Sequence, residues 1–349
     1  MTDFTKTSEY LLTGCNWEIT LGCTLHCAHC GSQAGKARAN EMSVEECLSA
    51  ARDLISLGCL ELTMIGGEVF LYKGWQKVAA YLTEHGVAVN IVTNGYRLTE
   101  REVEQIKQAG LVNVGLSLDG MAANQNQIRG RSDAFASLQS SLDLLDANGI
   151  GTGVITTLMR SNLDDLEEMH TFLKDHHVQI WQLQLASPMG NLAGRHDITL
   201  TPQQVKKVIE FIRIKSFDLQ LGIVAADSIG YFDENEPFIR GRTSPLCYWG
   251  GCSAGTSNIF IDSVGNIKGC GALYDDCFIE GNLRERSLIE IWNDPNAFPY
   301  NRKFSPDQLT GHCKGCSASH LCRGGCRSSN YFSTGSLFSN AYCSRNITN

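Results

Sequence analysis

The chemistry of this chain concentrates in its cysteines. Cys23-x3-Cys27-x2-Cys30 lies close to the N-terminus. A second group fills the last third: Cys247, Cys252, Cys270 (preceded by a Gly265-x4 spacer), the run Cys313-x2-Cys316-x5-Cys322-x3-Cys326, and Cys343. Together they account for 11 of the 15 cysteines. Thiolates are soft ligands suited to iron–sulfur clusters, and a cubane accepts up to four of them. The first group supplies three, leaving one iron open to a small molecule. The second supplies eight, enough for two fully ligated cubanes. The expectation is chemistry at the first site and electron handling or support at the other two.

Two other uses of cysteine compete with this one. A disulfide framework suits short secreted chains with even cysteine counts, whereas this chain has 349 residues and 15 cysteines. Zinc is the stronger rival, because Cys313-x2-Cys316 alone would suit a zinc knuckle. The N-terminal triplet lacks the paired ligands that close a structural zinc shell. The opening segment MTDFTKTSEYLLTG has no charged region followed by an apolar one, so no signal peptide is readable. No apolar run is long enough to span a membrane. A cytoplasmic location, where thiols stay reduced and free for metal, is therefore expected. The net charge of −8 argues against a nucleic-acid partner, which needs a basic face.

Elements must carry these ligands. From residue 15 to about 225, short apolar runs alternate with amphipathic stretches. Strands are expected at 16–21, 60–65, 88–93, 112–118, 151–158 and 180–185. Helices are expected after Ser43, whose Glu46 completes a capping box, and at 75–85, 99–109, 135–148, 163–176 and 202–215. Six strand–helix units with helix-length crossovers imply parallel strands and right-handed connections. Pattern alone leaves open whether they form a partial (β/α)6 barrel or an open doubly wound sheet. Each chemical motif falls at the C-terminal end of a strand, where α/β barrels place working residues. The triplet follows strand one, Gly66-Gly67-Glu68 strand two, Thr93-Asn94-Gly95 strand three and Ser117-Leu118-Asp119-Gly120 strand four.

Past residue 225 the periodicity changes. A polar bridge is expected over 226–246, then a hairpin around Val264-Gly265, a brief helix at 288–292 and a loop-rich remainder to Asn349. The expected organisation is an N-terminal extension (1–14), an α/β core (15–225), the bridge, and a cysteine-rich domain (247–349) that metal clusters must stabilise.

The triplet Cys23-Thr-Leu-His-Cys27-Ala-His-Cys30 resembles the Cx3CxΦC signature of the radical S-adenosylmethionine (radical SAM) superfamily, with His29 in the usual aromatic position. The resemblance implies a partial (β/α)6 TIM-like barrel and a [4Fe–4S] cubane whose fourth iron is chelated by S-adenosylmethionine. One electron from the cluster would cleave that sulfonium to methionine and a 5′-deoxyadenosyl radical. Gly66, Gly67 and Glu68 resemble the family's GGE motif, which takes the methionine amino group. Ser117 and Arg129 resemble the pair contacting ribose and carboxylate, and a guanidinium fork can grip a carboxylate at two points. Family members often carry His-Asp where this chain has Gln125-Asn126. Ser187-Pro188-Met189-Gly190 resembles the turn that ends the sixth barrel strand. The C-terminal third resembles the SPASM extension. By that resemblance one auxiliary [4Fe–4S] cluster uses Cys247, Cys252, Cys270 and Cys326, and the other Cys313, Cys316, Cys322 and Cys343.

Some residues read more plainly. Cys47 and Cys59 are expected as buried core thiols. Cys277 is expected to be unreactive, and neither His26 nor His29 to ligate iron. Gln182 and Gln184 alternate on one strand and share a face, in the barrel lumen or in the core.

SPASM proteins mostly modify peptides or proteins. The resemblance therefore implies maturation of a ribosomally made peptide, by crosslink, thioether, epimerisation or backbone excision. With about 14 residues before the first strand, no leader-binding domain is expected at the N-terminus, and a separate recognition protein is the expected partner. A flavodoxin or ferredoxin would supply the electron. The nearest rival is the formylglycine-generating sulfatase-maturing branch. That branch carries an Asp after the third ligand of the first auxiliary cluster, where this chain has Gly271. Small-molecule oxidation, as in aminoglycoside or haem pathways, is the other alternative. A non-catalytic electron carrier would not need the Glu68, Ser117 and Arg129 set.

Overall fold

The computed structural model describes residues 9–227, 229–231, 233–240 and 248–346. Seven parallel strands follow one another: β1 (Gly14–Thr20), β2 (Glu61–Gly66), β3 (Ala88–Thr93), β4 (Asn113–Ser117), β5 (Gly151–Leu158), β6 (Ile180–Leu185) and β7 (Gly222–Ala225). Between them run α1 (Val44–Leu57), α2 (Trp75–Glu84), α3 (Glu100–Gln108), α4 (Ala122–Arg129), α5 (Ala134–Ala147), α6 (Leu166–Asp175) and α7 (Pro202–Lys215).

The helix starts follow local chemistry. The Ser43 hydroxyl accepts from Glu46 N while the Glu46 carboxylate accepts from Ser43 N, and Thr201 with Gln204 repeats the device behind Pro202. Strand alternation decides the faces. Leu62, Met64, Ile91, Leu116, Val154, Trp181 and Leu183 are buried in one core with the apolar faces of the helices. Thr63, Gly115, Thr157, Gln182 and Gln184 alternate with them on the opposite, inner face and are half-buried.

The strand order resolves the architecture that the pattern left open. It runs β1 to β7 without reversal, with no switch point of the kind a doubly wound sheet requires. Right-handed crossovers in one direction put every helix on the same face, so the sheet curls into a partial barrel. The fold is α/β, as expected. β7 is an addition to the expected six strands. Only four residues long, Gly-Ile-Val-Ala carries too little alternation to register as a strand. α4 was also not expected, because AANQNQIR has no apolar stripe, and two of its three buried residues, Gln125 and Arg129, are polar.

The C-terminal third is joined to this sheet. β8 (Asn258–Ile261) lies parallel to β1 on its free side, and β9 (Asn266–Lys268) and β10 (Gly281–Asn282) extend the ladder antiparallel. Ile259, Ile261, Ile267, Leu288 and Trp292 enter the barrel's own core. The expected bridge contains the short α8 (Glu236–Arg240), with Glu236 and Arg240 buried. The remaining helices are short: α9 (Leu288–Trp292), α10 (Pro299–Arg302), α11 (Ser319–Cys322) and α12 (Arg327–Thr334). A second apolar cluster joins Tyr231, Trp249, Leu273, Phe278 and Tyr300 to Cys252 and Cys343, with Cys270 and Cys322 packed against it. Among the described residues no helix is long and apolar enough to cross a membrane.

Candidate active site at the barrel rim

The triplet occupies the loop leaving β1, and main-chain bonds from several elements fix it. Cys23 N donates to Gly35 O at 2.8 Å, Ala28 N to Ile128 O of α4 at 2.8 Å, and Asn191 N to Cys30 O at 3.0 Å. Asn191 Nδ2 donates to Cys27 O at 2.9 Å. Gly190 explains the turn before Asn191, since a Cβ there would lie 2.3 Å from Gly31 O. The return of the loop is tied to β1 by Glu41, which accepts from Leu21 N at 2.7 Å and Thr20 Oγ1 at 2.9 Å. Arg38 of the same loop pairs with the buried Glu18.

Gly66 and Gly67 act through what they lack. A Cβ on Gly67 would sit 2.0 Å from Gly22 O, and one on Gly66 2.2 Å from Thr20 O. Bare backbone lets the end of β2 press against the start of the triplet loop, with Gly67 N donating to Thr20 O and Glu68 N to Gly22 O. Glu68 is 5% exposed. Its carboxylate accepts from Thr93 Oγ1 at 2.9 Å and Asn94 N at 3.1 Å. Burial pushes it up to about 6, against the lowering effect of those bonds. Asn94 continues to the triplet, its amide 3.8 Å from Cys23 Sγ. Ser117 ends β4 and donates to Thr93 O at 3.3 Å.

Arg129 closes α4 and is 7% exposed, with Nη1 3.6 Å from Cys27 Sγ and Nη2 2.5 Å from Asp119 Oδ2. His29 Nε2 lies 3.1 Å from the same carboxylate oxygen. Burial alone would raise the Asp119 carboxyl, but Arg129 and His29 hold it well below the usual range. Arg129 Nε and His29 Nδ1 remain buried without a hydrogen-bond partner among the described residues. Buried polar groups are seldom left so, and an orphan pair beside three thiols fits a polar ligand at this spot. The structure thus brings Cys23, Cys27, Cys30, His29, Glu68, Ser117 and Arg129 to one rim.

Burial raises the Cys23 thiol and, partly offset by Arg129, the Cys27 thiol. In the second group Cys313, Cys316, Cys322 and Cys343 line a single cavity. Cys252, Cys270 and Cys326 lie within electrostatic reach of one another. Their expected fourth companion, Cys247, lies outside the described residues. Burial pushes Cys270 up to about 11 and Cys322 and Cys326 up to about 12, so a metal bound there would have to displace their protons. A further cavity of about 330 Å³ opens beside the middle of β6 and the end of β7, against residues 248–253, lined by Gln182, Asp227, Arg240, Tyr248 and Trp249 among others.

The contacts of Gln125, Asn126 and Asn191 could not be read from the sequence. Gln125 bridges the rim, accepting from Asp119 N at 2.7 Å and donating to Ser117 O at 3.1 Å. Asn126 only secures the turn after α4, donating to Ser132 O. Asn191 was one residue beyond a recognised turn and carried no signal of its own. Of the remaining cysteines, Cys15, Cys47 and Cys59 are buried and Cys277 is exposed.

Comparison with known proteins agrees with this geometry. The Radical SAM superfamily family model matches residues 17–173, and that of the SPASM iron–sulfur cluster-binding domain matches residues 252–317. The AdoMet-dependent heme synthase of Methanosarcina barkeri is 27% identical over 338 residues, covering 94% of this chain and 95% of its own. The mycofactocin maturase MftC of Mycolicibacterium smegmatis is 26% identical over 319 residues, covering 90% and 78%. Among solved structures, Streptococcus suis SuiB bound to S-adenosylmethionine superposes with a TM-score of 0.76 at 18% identity, over 96% of this chain and 77% of that one. The enzyme anSMEcpe with bound AdoMet superposes with a TM-score of 0.73 at 18% identity, over 95% and 90%. The chain belongs to the radical SAM superfamily, in the group whose barrel is followed by an iron–sulfur SPASM domain.

Proposed function

We propose that the chain holds three [4Fe–4S] clusters and S-adenosylmethionine, and uses them to abstract hydrogen from a ribosomally made peptide during its maturation. The observation that carries the cofactor assignment is the pair of buried, unspent nitrogens, Arg129 Nε and His29 Nδ1, beside the Cys27 thiol. On this reading Cys23, Cys27 and Cys30 hold the open cluster. Glu68, steadied by Thr93 and Asn94, receives the methionine amino group. Ser117 and Arg129 take ribose and carboxylate, and His29 flanks the adenine. Bound together, cluster and S-adenosylmethionine supply one-electron cleavage to a 5′-deoxyadenosyl radical. Cys247, Cys252, Cys270 and Cys326 hold one auxiliary cluster, and Cys313, Cys316, Cys322 and Cys343 the other.

The peptide assignment is supported by similarity to mycofactocin maturases and by the cavity beside the second cysteine group. Its lining includes the Gln182 amide and the Asp227 carboxyl, acceptors for peptide N–H groups, beside Arg240 and the Trp249 ring. The SuiB fold relative has been solved with its precursor peptide SuiA. A separate leader-recognition protein and a flavodoxin or ferredoxin donor belong to this reading. Formylglycine formation is disfavoured by packing. A Cβ at Gly271 would meet the Phe260 ring at 2.4 Å, so an Asp there would require that ring to shift, while Asp275 is exposed and accepts from Tyr331.

A second reading, oxidation of a small molecule such as a porphyrin, is favoured by one observation: the heme synthase of Methanosarcina barkeri matches along 95% of its length. Anaerobic turnover with deuterated candidates separates the two. Deuterium entering 5′-deoxyadenosine from a labelled peptide supports the first reading. Transfer only from a labelled porphyrin overturns it.

A further inference from the structure

We infer that Asp119 is the positioning residue of the S-adenosylmethionine site, choosing which nitrogen each of Arg129 and His29 presents to the ligand; this rests on the cofactor reading above. Asp119 is 0% exposed and held on every side. Its Oδ1 accepts from Thr157 N of β5 at 2.8 Å. Its main-chain N donates to Gln125 Oε1 at 2.7 Å, and its carbonyl accepts from Asn162 Nδ2 at 2.7 Å. Oδ2 is the part left to face the site, 2.5 Å from Arg129 Nη2 and 3.1 Å from His29 Nε2, as a charge contact without hydrogen-bond alignment.

The consequence is geometric. With Nη2 on Asp119 and Nη1 toward Cys27 Sγ, the end-on fork of Arg129 is already occupied. The nitrogen of Arg129 left for the ligand is then Nε. His29 likewise turns Nε2 toward Asp119 Oδ2 and leaves Nδ1 for the ligand. One carboxylate therefore couples the group assigned to the ligand's carboxylate with the group assigned to its adenine.

The test uses the reconstituted, cluster-loaded protein and measures binding of S-adenosylmethionine and of its decarboxylated analogue. Asp119→Asn keeps size and hydrogen-bonding capacity but removes the charge that orients Arg129. The preference for the carboxylated ligand should fall by about tenfold, the value of one charge-assisted hydrogen bond. Gln125→Ala is the milder variant, loosening the Asp119 main chain while leaving its charge, and should lower the preference by about threefold. If both variants fold and weaken the two ligands equally, Asp119 supports the fold alone and the inference is overturned. If Asp119→Asn does not fold, Gln125→Ala decides, and an unchanged preference overturns the inference. Arg129→Lys is the control for the underlying assignment. An unchanged preference in that variant removes Arg129 from the carboxylate, a failure distinct from that of Asp119.

Discussion

The two cysteine groups use the same ligand atom on opposite kinds of support. Around the triplet, the strands β1 to β4 deliver the loops, and backbone bonds from Gly35, Ile128 and Asn191 hold them. None of Cys23, Cys27 and Cys30 belongs to the barrel's apolar core, which closes around Trp17, Trp75 and Trp181. In the C-terminal third the relation is reversed. Cys252 and Cys343 are members of the second apolar cluster, and Cys270 and Cys322 pack against it. Short helices of four residues, such as α10 and α11, cannot stabilise themselves. The comparison teaches that a scaffold rich in strand and helix can leave its thiols free for chemistry. One poor in both makes its thiols, and the clusters they bind, part of the core.

The sharpest break of this comparison is Cys27→Ala. Formation of 5′-deoxyadenosine should fall by about 10³-fold, equivalent to about 4 kcal/mol of barrier, with the barrel's circular dichroism unchanged. Normal product formation would remove the triplet from the chemistry. Cys322→Ala should act on structure instead. It should lose about four of about twelve irons and, by hydrogen exchange, protection over residues 313–343 while β1 to β6 stay protected. Uniform protection would show that the region has a core without its cluster.

Gly67→Ala asks how strongly the triplet loop depends on bare backbone. The clash with Gly22 O should cost about 3 kcal/mol in urea unfolding, and a cost under about 1 kcal/mol would mean the loop yields easily. Glu68→Gln probes the buried carboxyl of the cofactor-free protein. Its folded value of about 6 lies above the ordinary 4.5, so the native state binds the proton more tightly. Stability contributed by that proton is present below pH 4.5 and lost as pH rises through 6. The unfolding free energy of the native protein relative to Glu68→Gln should therefore drop by about 2 kcal/mol between pH 4 and pH 7. A flat difference would contradict the burial argument. Smallest of all, Cys277→Ser at an exposed position should change stability by under about 0.5 kcal/mol and leave the iron content unchanged.

Much of this was legible in one dimension. The strands at 88–93, 151–158 and 180–185 have the bounds the alternation implied, as does the helix at 202–215. The Ser43–Glu46 capping box also formed where read. Period-two and period-3.6 patterns are local, and each is written in consecutive residues. β7 and α4 were missed for the complementary reason. One is too short to alternate, and the other buries Gln125 and Arg129 through polar contacts that no hydrophobic stripe announces. The lumen position of Gln182 and Gln184, left open by alternation, was decided by which face of β6 met the helices.

By itself the amino-acid order determined the ligand types, their spacing within each loop and the succession of strands and helices, because all of these depend on near neighbours along the chain. Only the tertiary structure decided the barrel over the doubly wound sheet, and the joining of β8 to β1. It alone set the meeting of Asp119 with His29 and Arg129, and of Arg129 with a thiol 102 residues away. Such contacts arise from the register and curl of adjacent strands, a property of the whole sheet that no single segment contains.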